Sequence, residues 1–304
     1  MSISVLTSRL QIWMRAARKA PWSNVAARAL GKMGIEFDWL NRQELLGLAR
    51  QTDDTRAMTI LSRALGSVDL DAQAFWRACS GRNVVEVGCG RLGGLGPALV
   101  SAGVARYTGI DPGVKRAFCE SAAVMRDVIA PALKSCAQML DREALSLAAF
   151  TAVGQYESGR MEDANVEDDA VDLFVSISCL EHILDIDAAL EKMTRLGTPE
   201  SLHVHLVNFG NHTDKSAPFS GLYEVPRAEY LARWGHHING LRLPELVDAF
   251  RERGIKVCAL VLDRPVQLLP EYMHASWTTA FDYEVLAVRS ALVVSEHIAI
   301  SHET

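Results

Sequence analysis

The pattern of apolar and polar positions changes character along the chain. Over residues 3–19, Leu6, Leu10, Trp13, Met14 and Ala17 fall on one side of a helix at 100° per residue, opposite Arg9, Arg15, Arg18 and Lys19, until Pro21 interrupts. Residues 36–79 keep a helical spacing, in Leu40, Leu45, Leu46 and Leu48 and again in Met58, Leu61 and Leu65. Two or three helices are predicted there, Gly66 ending one and Asp69 or Asp71 capping the next. From residue 80 short apolar runs bounded by Gly, Pro and Asp alternate with helical stretches. Val84–Val87, Tyr107–Ile110, Val171–Ser176, Leu202–Val207 and Lys256–Leu262 read as strands. Leu147–Val153 fits a strand or a helix end, and Tyr283–Val294 one long strand or two. Helices are expected over 91–102, 113–140, 185–196 and 243–253. Strand–helix alternation of this kind predicts an α/β fold, a mostly parallel sheet covered on both faces. The expected division is a helical extension over 1–79 and an α/β domain over 80–304, with an insertion near 208–242 that leaves the alternation.

Charge adds a polarity to this picture. Residues 1–35 carry six cations (Arg9, Arg15, Arg18, Lys19, Arg28 and Lys32) and no acid, so the rest of the chain holds −12 of a net −6. Three readings of the basic segment stay open: a helix packed on the main domain, a peripheral membrane contact through residues 1–35, or a transit peptide. The 304 residues are 49% hydrophobic and 22% charged, an ordinary globular balance that excludes disorder and collagen-like repeats. The apolar runs are far shorter than the roughly 20 residues of a membrane span. Six cysteines without a CxxC pair suit a reducing compartment, hence a cytoplasmic location, membrane-associated if the basic helix binds lipid. A negative net charge counts modestly against nucleic acid as partner.

The chemistry concentrates after the first strand. Val84-Val-Glu-Val-Gly-Cys-Gly-Arg-Leu-Gly93 runs from a strand into a glycine turn that opens a helix. Gly88-x-Gly90-x-x-Gly93 alone also matches a dinucleotide fingerprint. Two acids discriminate. Glu86, at the end of the strand, suits a cationic ligand tail and would oppose a pyrophosphate. Asp111, ending Tyr107-Thr-Gly-Ile-Asp111-Pro112, is placed to accept from ribose hydroxyls.

These residues resemble motif I of the class I S-adenosylmethionine-dependent methyltransferases. The likeness continues in Val171-Asp-Leu-Phe-Val-Ser-Ile-Ser-Cys-Leu-Glu-His182, similar to the family's fourth strand and following turn, and in Asp187–Leu196, Pro199 and His203–Val207. It covers residues 80–210 clearly and 240–294 loosely. It implies a Rossmann-like fold of seven strands with helices on both faces, and S-adenosyl-L-methionine as cofactor. It also implies a cofactor set: Glu86 toward the methionine amine, Gly88, Cys89 and Gly90 along the methionine, Asp111 and Pro112 at the ribose, Met161 and Glu162 (or Asp163) at the adenine, Ser178 and Cys179 under the sulfonium. The sequence departs from the family at Arg91-Leu92, where a small residue and a glycine are usual, and at Thr198-Pro-Glu-Ser201 before the fifth strand. Arg91 points away or toward an acidic substrate.

A hydroxyl acceptor needs a base, whereas an amine needs only to be unprotonated. The candidates rank His212, then His182, then His237 or His236. His203 and His205 share one face of a strand and read as structural. No metal-ligand spacing is visible, so no metal is expected; His212, Asp214 and His236 or His237 are what an ion would draw on. Residues 208–242 hold Asn208, Lys215, Phe219, Tyr223, Tyr230, Arg233, Trp234, Asn239 and Arg242, a mixture suited to a polar ring. The expected activity is therefore O-methylation of a small-molecule or glycan acceptor: a sugar, a polysaccharide-related unit or a polar natural product. N-methylation and a non-catalytic binding module are the alternatives, and a homodimer is open.

Overall fold

The computed structural model describes residues 38–114, 118, 121–212, 214, 216–296 and 298. The amphipathic helix expected over 3–19 and the basic segment 1–35 lie outside them. Seven strands form one sheet: β1 (Asn83–Val87), β2 (Arg106–Ile110), β3 (Gly154–Glu157), β4 (Val171–Ile177), β5 (Gly197–Asn208), β6 (Val257–Asp263) and β7 (Ser290–Ser295). Their order is β3-β2-β1-β4-β5-β7-β6. Neighbours pair in parallel from β3 to β5, and β7 runs antiparallel to both β5 and β6. This is the Rossmann-like, mostly parallel seven-stranded sheet implied by the motifs.

The helices are α1 (Asp38–Ala49), α2 (Arg56–Gly66), α3 (Ala72–Ala78), α4 (Gly96–Ser101), α5 (Ala130–Met139), α6 (Leu147–Val153), α7 (Ile186–Leu196), α8 (Arg227–Trp234) and α9 (Leu243–Glu252). Side-chain caps start several of them. Asp71 accepts from the amides of Gln73 and Ala74 at α3, Ser146 from Ala149 at α6, and Asp185 from Ala188 at α7.

Alternation along the strands feeds two core layers. Val84, Tyr107, Leu173, Val175 and Val204 face α2–α5. Val85, Val87, Ile110, Phe174 and Val207 face α7 and α9. Leu45, Met58, Leu61, Leu65 and Trp76, from the helices before β1, belong to the first layer together with Val84. A third, separate cluster of Phe219, Leu222, Tyr223, Tyr230, Trp277 and Leu286 makes a small lobe beyond the carboxyl edge of β5.

Three element assignments differ from the pattern, and one that it left open is settled. The helix expected from residue 91 begins at Gly96, because Gly93 and Gly94 adopt positive φ and extend the turn. The stretch expected as one helix over 113–140 is interrupted by a π turn, Met125–Ile129, before α5; Pro131 lacks the amide that would donate to the preceding turn. Leu147–Val153 is helical, and the strand is the next four residues, Gly154–Glu157. Tyr283–Val294 is not a single strand. Tyr283–Leu286 is a helical turn, held where the Tyr223 hydroxyl donates to the Leu286 carbonyl at 2.7 Å.

Candidate functional site

Parallel strands leave a crevice at their carboxyl ends, where the order reverses between β1 and β4. A cavity of about 430 Å³ opens there, within the size range of small-molecule pockets. Gly88, Asp111, Pro112, Met161, Glu162, Ser178, Cys179, His182 and His236 all contribute to its wall.

The turn after β1 is built for close approach. Gly88 has φ +78°, and a Cβ there would meet Cys179 Sγ at 2.2 Å, so backbone and Cys179 share one narrow space. Asp111 accepts from the amides of Gly90 (2.9 Å) and Gly113 (2.5 Å), one per carboxylate oxygen. Each oxygen keeps a further lone pair for a ligand. Met161 and Glu162, on a short 3₁₀ turn, reach the cavity, while Asp163 is exposed and does not line it.

Glu86 is placed differently from the expectation. It is 2% exposed and does not line the cavity. Its carboxylate accepts from the Leu95 amide (2.8 and 3.0 Å) and from the Tyr107 hydroxyl (2.6 Å). Burial pushes it up to about 8 against the pull of those donors. It therefore ties the far end of the glycine turn from behind, and a Cβ on Gly94 would collide with its Oε1 at 2.2 Å. Cys89 is also buried beneath the turn, its thiol raised by desolvation, and Gly90 meets Asp111 rather than the cavity.

Arg91, the motif's oddity, points back to α1. Its guanidinium makes a two-pronged contact with Glu44, at 2.7 and 2.6 Å, and Glu44 is 1% exposed. The unusual turn residue and the helix before the domain thus form one device, which the sequence reading did not connect.

A second cavity, about 580 Å³, lies on the other side of the β4 end. Ser178 belongs to both walls. Its φ of +49° is the left-handed region that a non-glycine residue seldom adopts. Asn208, His212, Arg63, Asp263 and Arg289 are among the remaining wall residues, so α2 also contributes to this cavity.

The histidines separate accordingly. His212 lines the second cavity and His182 the first, with ring centroids 4.8 Å apart. His182 Nδ1 lies 2.7 Å from the His237 carbonyl, which can only accept, so Nδ1 carries the proton and Nε2 the lone pair. Burial and the neighbouring His182 lower the basicity of His212, while a main-chain hydrogen bond at Asn208 supports its charged form. His237 takes part through that carbonyl; it is His236 whose side chain reaches the first cavity. His203 and His205 are fully buried, bonded to each other and to Ser176 across β4 and β5.

Glu181 escaped the sequence reading although it stands inside the Leu180-Glu-His182 turn. It is 4% exposed, accepts from the Asn208 amide at 3.3 Å and lies 4.0 Å from His212 Nε2. Burial raises its carboxyl to about 8, and its Oε2 has no hydrogen-bond partner. Asn239, expected as a pocket wall, instead clamps this turn by donating to the carbonyls of Leu180 and Ile183.

The aromatic residues of 208–242 mostly pack. Phe219, Tyr223 and Tyr230 are buried in the third cluster, with Trp234 against it. Arg242 is buried among them, donating to the Phe209 carbonyl and the Tyr223 hydroxyl. Of the named polar and aromatic residues in the insertion, Asn208, His212 and Asp214 line the second cavity; Lys215 lies outside the described residues.

Residues 85–204 match the family model described as a methyltransferase domain. No curated protein matches the chain. Among solved structures, the chain resembles a Listeria monocytogenes protein assigned as an S-adenosylmethionine-dependent methyltransferase, at 16% identity over 71% of this chain and 90% of that one, with a TM-score of 0.42. It also resembles an S-adenosylmethionine-dependent methyltransferase from Mesorhizobium loti (15% identity, 73% and 94% covered, TM-score 0.41). A third is geranyl diphosphate methyltransferase in complex with its cofactor (16% identity, 84% and 88% covered, TM-score 0.42). Residues 85–204, which hold the named wall residues of the first cavity other than His236, therefore match a methyltransferase domain.

Proposed function

We propose that the chain methylates a hydroxyl of a polar, polyhydroxylated small-molecule or glycan acceptor, seated in the second cavity. The observation that carries this reading is the shared wall at Ser178, which puts two cavities of about 430 and 580 Å³ side by side at the end of β4. The first fits S-adenosyl-L-methionine. Asp111 offers lone pairs at the β2 end, Gly88 permits backbone contact, and Met161 with Glu162 supplies an apolar surface and an acceptor for a base. When bound there, the cofactor supplies a sulfonium-activated methyl group.

Everything else falls to the chain. Ser178 and Cys179 shape the passage between donor and acceptor, and holding the two groups in line supplies much of such a reaction's acceleration. Asn208, Asp263 and Arg289 offer donors and acceptors suited to a polyol. His212, on the second cavity, takes the acceptor's hydroxyl proton. Its lowered basicity keeps the ring neutral, and so able to accept, near neutral pH.

The test uses cofactor carrying an isotopically labelled methyl, a panel of sugars, glycans and amines, and product mass as readout. A labelled ether is expected. His212→Ala should then lower turnover by about 10²–10⁴, the usual worth of a general base, with cofactor affinity unchanged. Labelled amines alone would redirect the reading to N-methylation. Cofactor binding without any product across the panel would favour a binding module.

A further inference from the structure

We propose that Glu181, His182 and His212 form a binding site for a divalent first-row transition ion between the two cavities. One ligand atom of each residue lies within 4.8 Å of the others. A tetrahedral ion with ligands at 2.0–2.2 Å holds its donors roughly 3.4 Å apart, so side-chain rotations of about 1 Å complete the site.

Three separate features aim at this point. Glu181 Oε2 is buried and has no partner, a cost that a cation removes. His182 donates its Nδ1–H to the His237 carbonyl, which orients the ring and leaves Nε2 as the donor atom; an outer-shell bond of this kind accompanies most ligating histidines. The supports of all three residues are fixed. Asn239 clamps the turn that carries Glu181 and His182, and Asn211 holds the loop of His212 by donating to the carbonyls of Ala217 and Ser220. Two imidazoles and one carboxylate select zinc, manganese, cobalt or iron over magnesium or calcium. Three protein ligands leave open positions. His182 lines the first cavity and His212 the second, so those positions face the place where the acceptor is proposed to sit.

The site's use rests on the proposed function. An ion there would acidify a bound hydroxyl. His212 would then serve as its ligand and the proton would leave to solvent.

The experiment is titration of the metal-free full chain with Co²⁺, followed by visible absorption and equilibrium dialysis. One saturable equivalent is expected. His182→Ala, an exposed position, and the isosteric Glu181→Gln should each weaken Co²⁺ binding at least tenfold while circular dichroism holds. Absence of saturable binding, or equal binding by both variants, overturns the site. Calorimetry with S-adenosylmethionine on the chelated protein keeps the two claims apart. Cobalt bound without cofactor binding sinks the functional reading and leaves the site. Cofactor bound without cobalt does the reverse. With an acceptor in hand, full turnover after chelation overturns the ion's part in the reaction and leaves His212 as the base.

Discussion

Glu86 and Asp111 look alike in the sequence, each an acid at the end of a strand beside a glycine turn. Tertiary contacts give them different work. Asp111 opens onto the first cavity, whereas Glu86 is enclosed by the Leu95 amide and the Tyr107 hydroxyl. That difference was not legible, because both positions carry the same local signal and only the partner strand's Tyr107 decides between them. The buried acids and bases set a pH dependence with opposite signs. Glu86 is raised to about 8, so the stability it contributes is present below its unfolded value of 4.5 and is lost as pH rises through 8. Burial holds His203 down to about 3 and His205 well below its ordinary value of 6.5. Their contribution is present above 6.5 and is lost as pH falls toward 3. Stability of the chelated protein should therefore fall from pH 6.5 toward 8, where the histidines are already neutral, and from pH 4.5 toward 3, where Glu86 is already protonated. Urea unfolding at pH 6 and pH 8 checks the alkaline limb, and Glu86→Gln should flatten it in part, Glu181 keeping its own share. Equal stability of the wild-type protein at those two pH values would refute the assignment.

The seven strands show how periodicity succeeds and fails as a guide. Val171–Ile177 and the Leu202–Val207 part of β5 were foreseeable because buried parallel strands are nearly continuous apolar runs, whereas the polar Thr198-Pro-Glu-Ser201, which also lies in β5, was read as preceding it. Gly154–Glu157 was hidden, since this edge strand is short and only half-buried. The aromatic residues of 208–242 misled for a related reason. Composition does not tell a pocket wall from a core, and here they surround Arg242 inside their own cluster. The clamp between α1 and the glycine turn belongs to this scale as well. Removing Arg91 takes from buried Glu44 a two-pronged charge-assisted contact, worth about 1.5–3 kcal/mol. Arg91→Ala should show that loss in denaturant midpoint and weaken cofactor binding, because the turn loosens. The double variant Arg91→Ala, Glu44→Gln should recover part of the stability. If the single variant is as stable as the wild type, the clamp carries no load.

At the level of the whole molecule, the helices before β1 are less separate than their composition suggests. Leu45, Met58, Leu61 and Trp76 complete the first core layer, and Arg63 of α2 lines the second cavity. No helix among the described residues is long and apolar enough to cross a membrane. The walls of the first cavity were largely readable, since strand ends and glycine turns announce themselves locally. The second cavity was not, because it is assembled from α2, the ends of β5 and β6, and the loop of His212, far apart in sequence. The central claim is that the first cavity holds S-adenosylmethionine with Asp111 as a direct contact. Isothermal titration of the wild-type protein and Asp111→Ala tests it most directly. One-to-one binding by the wild type and at least a tenfold loss in the folded variant, about 1.4 kcal/mol, are expected. No binding by folded wild-type protein at tens of micromolar, or equal affinity in the variant, would contradict it.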